Sequence, residues 1–199
     1  MSYHIKSILR NSRKLDYGIT FKSLLMSNKF STSPIKNKSR GKPIYKNYKV
    51  KGGGYGSHCE IITQDDWWNI SSDVPISQGG TNKAPQPVLL LLASLCGCEL
   101  ATARFVAFRS DPKIVMGRIE FDINAKRDER GALHLPLYTE PPVPARVEHV
   151  WGSATVYDTN ASQEQITALG HEVHKRCPVA NMMVLSGCRL EIDWRIANS

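Results

Sequence analysis

Five cysteines, Cys59, Cys96, Cys98, Cys177 and Cys188, are the residues of this chain with the most chemistry available to them. Thiols cross-link, bind metals or act as redox nucleophiles. An odd number in a chain bound for a reducing compartment argues against a structural disulfide framework. Cys96 and Cys98 flank Gly97 within the apolar stretch from Pro85 to Arg109. At 3.6 residues per turn their sulfurs point to roughly opposite sides of a helix, so they cannot bond to each other, and one faces a place the other does not. Cys177 precedes Pro178-Val179 at the end of a second helical segment. A buried cysteine also packs well as a small apolar group. Cys59 and Cys188 stand in strand-like contexts and are expected to be structural. Cys96 is expected to pack, or to act as a back-up thiol.

Metal and phosphate chemistry find little support. His171, His174 and Cys177 recur every three residues. An i, i+3 pair can share a helix face, but i+6 swings away and no well-spaced carboxylate completes a ligand set. The histidines read as solvated helix-surface groups, and neither metal nor cofactor is expected. Gly52, Gly53 and Gly54 are not followed by a helix carrying Lys-Ser/Thr, so they are not read as a phosphate cradle. The acidic residues show no catalytic pairing.

The elements that must position the thiols follow from periodicity. Ile44–Val50 and His58–Thr63 read as strands joined by a glycine turn at 52–56, and Trp67–Ile70 as a short third strand. The polar segment Ser71–Ala84 leads into the central helix, where Pro87 is tolerated in the first turn. Residues 88–108 are apolar on nearly every side, which predicts a helix buried on every side. Gly117–Ala125 alternates, with Ile119, Phe121, Ile123 and Ala125 on one face. Leu133–Arg146 is a Pro-stiffened crossing, and Val147–Tyr157 the next strand. Asn160 and Ser162 offer caps for a helix over Ser162–Arg176, which stops before Pro178. Arg189–Ile196 is a last alternating strand. The order describes an α+β domain, a mostly antiparallel sheet wrapped around a long buried Cys-bearing helix. About 22 helical residues span roughly 33 Å, a length that a domain of this size struggles to cover alone, so a partner subunit is expected to share the task.

Charge divides the chain. Residues 1–59 hold 13 Lys/Arg against one acid, Asp16, a balance of +12; residues 60–199 hold 13 against 17, a balance of −4. Residues 1–43 therefore read as a basic, acid-poor targeting segment of mitochondrial-matrix type, with a processing region near Asn28–Ser33. A disordered basic arm on a cytoplasmic protein is the alternative. Residues 44–199 form the domain. A mildly acidic folded part without interleaved basic and aromatic residues excludes a nucleic-acid partner. The longest apolar run is broken by Ser94, Gly97 and Glu99, so no membrane span is expected.

With the elements placed, the sequence resembles the OsmC/Ohr family of thiol-dependent hydroperoxide reductases, and most of all its OsmC-like branch. The resemblance rests on Gly79-Gly-Thr-Asn-Lys-Ala-Pro-Gln-Pro87, on Leu89–Leu95 running into Gly97-Cys98, and on Cys177-Pro-Val179. Element order agrees from about Ile44 onward. It implies an intertwined homodimer with active sites at the subunit interface. It also implies a peroxidatic Cys98 that reduces an organic, lipid-type hydroperoxide and becomes a sulfenic acid, and a resolving Cys177 that condenses with it to a disulfide. An external dithiol of lipoyl type would then reduce that disulfide. Two positions depart from the family pattern. Peroxidase members carry a glutamate nine or ten residues before the reactive cysteine, where this chain has Leu89 and Val88. They carry a thiolate-stabilising arginine just after the first hairpin's glycines, where this chain has Tyr55, Ser57 and His58. Lys51, His58, His174 and Arg176 are the candidate replacement cations. The alternative is a catalytically degenerate relative that binds a hydrophobic ligand or partner in the same pocket.

Overall fold

A computed structural model describes residues 42–63 and 67–197 of the chain. The chain divides after Lys46, and the regular elements described here lie in the unit that begins at Asn47. The expected targeting segment falls almost wholly outside the described residues.

The first hairpin forms later than its sequence predicts. Ile44 is 98% exposed, and among the described residues no strand begins before Val50. Strand β1 is Val50–Tyr55 and pairs antiparallel with β2, His58–Thr63. The three glycines are rungs of that ladder, with Gly52 opposite Ile61, Gly53 opposite Glu60 and Gly54 opposite Cys59. Pairing through backbone needs no side chain, and at Gly54 a Cβ would lie 1.9 Å from the His58 carbonyl oxygen. The turn is Gly56-Ser57, with Gly56 at φ +60°, where glycine is favoured. Strand β3, Asn69–Ser72, pairs antiparallel with β2, two residues beyond the expected Trp67–Ile70. Trp67 and Trp68 are left exposed ahead of it.

Helix α1 spans Pro87–Arg109, with Pro87 in its first turn. Burial is not all-round, as its composition predicts. Within the chain it narrows to Leu95, Glu99, Ala103 and Ala107, four residues apart on one stripe. Leu89, Leu91, Phe105 and Phe108 stay exposed. The reason is the supply of covering elements: α1 packs chiefly on two helices to one side of it, and the first sheet makes its extensive contacts within itself. By length and composition alone α1 is also apolar enough to cross a membrane, because three interruptions do not outweigh its Leu and Ala content. The sequence-based expectation of no such segment is corrected to that extent.

The second sheet has the order β4-β5-β6, formed by Ile119–Arg127, Val147–Val156 and Arg189–Ile196. β4 and β5 are antiparallel, whereas β5 and β6 are parallel. The long connection through two helices returns the chain to the starting end of the sheet, as a parallel pair requires. The expected single, mostly antiparallel sheet is thus two three-stranded sheets, one of them mixed. The alternation in β4 and β6 holds: Phe121 stands opposite Ala154, and Ala154 opposite Trp194, on the apolar face. Phe121 and Trp194 meet edge to face at 6.0 Å.

Helix α2, Gln163–Arg176, covers that face with Ile166, Leu169, Gly170 and Val173 buried. Ser162 and Gln165 form a reciprocal capping box at its start. Gly170 allows the close approach, since a Cβ there would sit 2.5 Å from the Trp194 ring. The chain turns at Cys177 and continues into α3, Pro178–Leu185, a helix the sequence reading misses. A proline that stops one helix also suits the first position of the next, and Pro178 does both.

Candidate active site

The site is assembled where α1 crosses the corner between α2 and α3. Cys177 is at once the C-cap of α2 and the N-cap of α3. Its sulfur accepts a hydrogen bond from the Ala180 amide at 3.4 Å. Asn181 Nδ2 clamps the corner, donating to the carbonyls of His174 and Cys177, each at 2.9 Å. Cys177 is fully buried, and Cys98 on α1 is partly buried against the same core. Both belong to one cluster, with Cys98 packed against the core that encloses Cys177. Burial, first of all, pushes the Cys177 thiol up to about 12; the Ala180 amide pulls it down, and Cys98 and then Glu99 add to the rise. Both cysteines are free thiols.

A buried acid on the same α1 stripe is not singled out by the sequence. Glu99 is 0% exposed, and neither carboxylate oxygen has a hydrogen-bond partner. His174 Nε2 lies 3.3 Å from Glu99 Oε2, in a direction that makes no hydrogen bond, and is itself buried without one. The expected solvated histidine is therefore turned inward at position 174. Reaching from α2 to α1 is possible because Leu95, Ile166 and Val173 draw the two helices together. Each of these side chains is fully buried, a contribution of about 1.5–3 kcal/mol apiece. Their sum offsets the several kcal/mol that a buried, poorly paired carboxylate costs in order-of-magnitude terms. Glu99 shares the four-residue spacing of Leu95, Ala103 and Ala107, and that spacing was the available signal. By sequence alone Glu99 reads as a break in an apolar run.

The other candidate cations are placed differently. Lys51 is exposed on β1. His58, on β2, lies 3.8 Å from Glu60 Oε1, and its Nδ1 is buried without a partner. Arg176 turns back to Glu172 on its own helix. Of the four, His174 is the one brought to the cysteine helix. Cys96 points elsewhere on α1, and burial followed by the charge of Glu99 raises its thiol. Cys188 is buried at the start of the last strand, and burial raises it as well. Among the described residues no group of three His, Cys, Asp or Glu side chains is placed to hold a metal ion.

The loop before α1 has its own fastening. Asp73 is 0% exposed and accepts from Ser57 Oγ at 2.7 Å, Val74 N at 2.8 Å, Thr81 Oγ1 at 2.6 Å, and the amides of Thr81 and Lys83, each at 3.1 Å. Those bonds, led by the Thr81 and Ser57 hydroxyls, hold its carboxyl well below the usual carboxylate range. They tie the Gly79–Lys83 run to the hairpin turn and set where α1 begins.

Fold and site together define an α+β domain with two free thiols, Cys98 and Cys177, packed in one core at a helix corner. Residues 80–193 match the family model described as OsmC-like protein, and the chain belongs to that family. Solved structures agree with the fold. An OsmC-like protein from Mycoplasma pneumoniae superimposes with a TM-score of 0.61 at 20% identity, covering 78% of this chain and all of its own. The organic hydroperoxide resistance protein OsmC from Legionella pneumophila gives a TM-score of 0.56 at 19% identity, covering 76% of this chain and 99% of its own. The organic hydroperoxide resistance protein OhrB of Bacillus subtilis gives 0.53 at 17% identity, covering 76% and 98%. No curated protein matches this chain by sequence.

Proposed function

We propose that this protein is a thiol-dependent reductase of organic hydroperoxides. The observation that carries the reading is the packing of Cys98 of α1 against the buried core that holds Cys177 at the α2–α3 corner. The Cys98 thiolate attacks one peroxide oxygen and the O–O bond breaks. Cys98 becomes a sulfenic acid, and the departing alkoxide takes up the proton that the Cys98 thiol gave up and leaves as the alcohol. Cys177 then closes the disulfide, releasing water, and an external dithiol of lipoyl type returns both thiols by exchange. Apolar surroundings favour a lipid-type hydroperoxide over hydrogen peroxide. The resistance proteins among the structural neighbours support the substrate class by analogy of fold.

The exposed Leu89, Leu91, Phe105 and Phe108 of α1 support a homodimer in which a second copy covers what this chain leaves bare. The basic, acid-poor first 43 residues support delivery to the mitochondrial matrix, with a cytoplasmic protein as the alternative.

The test is consumption of cumene hydroperoxide with dihydrolipoamide as reductant. Cys98→Ser should abolish turnover, and equal rates for variant and wild type would end the proposal. A second reading, a non-catalytic binder of hydrophobic ligands, is favoured by a cavity of about 320 Å³ walled in part by Val88, Leu91, Met182 and Met183. It predicts retention of an apolar ligand by a protein that leaves the peroxide untouched.

A further inference from the structure

Resting on that reading, we infer that Glu99 and His174 form the internal base that carries the proton when Cys177 closes the disulfide. The reaction sets the requirement. A sulfur electron pair from Cys177 attacks the Cys98 sulfur of Cys98–S–OH, and the S–O bond breaks with its pair going to oxygen. Cys177 sulfur is oxidised by one step, Cys98 sulfur is reduced by one, and the organic hydroperoxide has already supplied the oxidising equivalents. The Cys177 proton must leave, and the departing hydroxide must gain one to become water. No net proton is consumed, so a group that takes the first and gives the second is sufficient.

Cys177 needs such help because burial keeps it a thiol. The surroundings of its sulfur supply one pair able to give it. Glu99 is wholly buried with both oxygens unpartnered, on the α1 stripe that packs against α2 and α3 where they meet at Cys177. His174 stands one helical turn before Cys177 on the same helix, 3.3 Å from Glu99. An unpartnered carboxylate at this depth is expensive, and a base poised to receive a proton and a hydrogen bond is a use that justifies it. The Ala180 amide, donating to the Cys177 sulfur, is in place to stabilise the thiolate as it forms. The other titratable groups acting on this spot are Cys96 and Cys98 of α1. From Pro178 to Leu185, α3 carries no charged side chain. On α2, Lys175 and Arg176 are engaged with Glu172.

The experiment follows one turnover of the full chain with a stoichiometric amount of cumene hydroperoxide, without reductant. Cys98 sulfenate is trapped with dimedone, and the Cys98–Cys177 disulfide is counted by mass spectrometry after acid quench. In Glu99→Gln, sulfenate should still form and accumulate while disulfide closure slows by about 100-fold or more, as for loss of a general base. Closure in the variant should then rise about tenfold per pH unit, because hydroxide must replace the internal base, while wild-type closure stays nearly flat around neutrality. Glu99→Asp should restore much of the rate, and His174→Gln should repeat the Glu99→Gln defect. Wild-type closure rates in Glu99→Gln, or a defect with an unchanged pH slope, would overturn the inference. Absence of both sulfenate and disulfide in the wild type would instead overturn the peroxidase reading beneath it.

Discussion

Two carboxylates in this protein, Asp73 and Glu99, are equally hidden from water, at 0% exposure each. Asp73 accepts bonds from two hydroxyls and three amides. Glu99 accepts none and has an imidazole nitrogen 3.3 Å away. Burial is costly for both, and the difference lies in what the surrounding chain supplies in return. Around Asp73 every donor comes from the hairpin turn or the loop before α1, and the group serves as a fastening. Around Glu99 the walls are apolar, and the remaining neighbours are titratable: a histidine and thiols. A buried acid that is fully bonded holds structure, while one left open among thiols and imidazole is disposed to exchange protons.

Several substitutions sharpen that contrast. The largest loss of stability is expected where the α1–α2 seam that encloses Glu99 is hollowed out. Leu95→Ala should cost about 3 kcal/mol, read from urea midpoints. Asp73→Asn should come next, with a fall of about 5 °C in the thermal midpoint, because one oxygen becomes a donor facing amide donors. The folded-state titration of Asp73 is depressed below its unfolded value. Its stabilisation is therefore fully present above the unfolded pKa and drains away as pH falls through the acid range. Asp73→Asn should flatten that acid limb of the stability curve. Gly170→Ala should cost about 1–2 kcal/mol, since its methyl meets the Trp194 ring and α2 must lift. Glu99→Gln should have the smallest effect, with an unchanged or raised midpoint, because removing a poorly paired buried charge relieves its cost. A drop as large as that of Asp73→Asn would erase the contrast.

Alkaline titration tests the other partner of the seam. Cys177 is raised in the folded state, up to about 12, so its contribution is intact below the unfolded thiol pKa and is lost as pH climbs above it. Cys177→Ala should lose less stability than wild type on going from neutral to strongly alkaline pH, measured by denaturant midpoints.

Much of this arrangement is legible in the chain, in proportion to how local its causes are. The alternation in β4 and β6, the Ser162 cap and the halt at Pro178 rest on short-range rules, and the elements appear where those rules put them. The glycine run misleads because a ladder can be built on backbone alone, which no side-chain pattern announces. Helix α3 is hidden because Pro178-Val-Ala-Asn-Met-Met-Val-Leu185 has no amphipathic period to read. At the site, the thiols stand out by residue type, whereas Glu99 is camouflaged as an interruption. Its role depends on which face α2 covers, and the distant packing of Ile166 and Val173 sets that.

The central claim is that sulfurs 98 and 177 work as a couple, and the most direct measurement is peptide mapping of the protein after one equivalent of cumene hydroperoxide. Near-stoichiometric conversion to a single Cys98–Cys177 disulfide is expected, with Cys59, Cys96 and Cys188 remaining reduced. Unchanged thiols, or a bridge that joins Cys98 to any other cysteine, would contradict it.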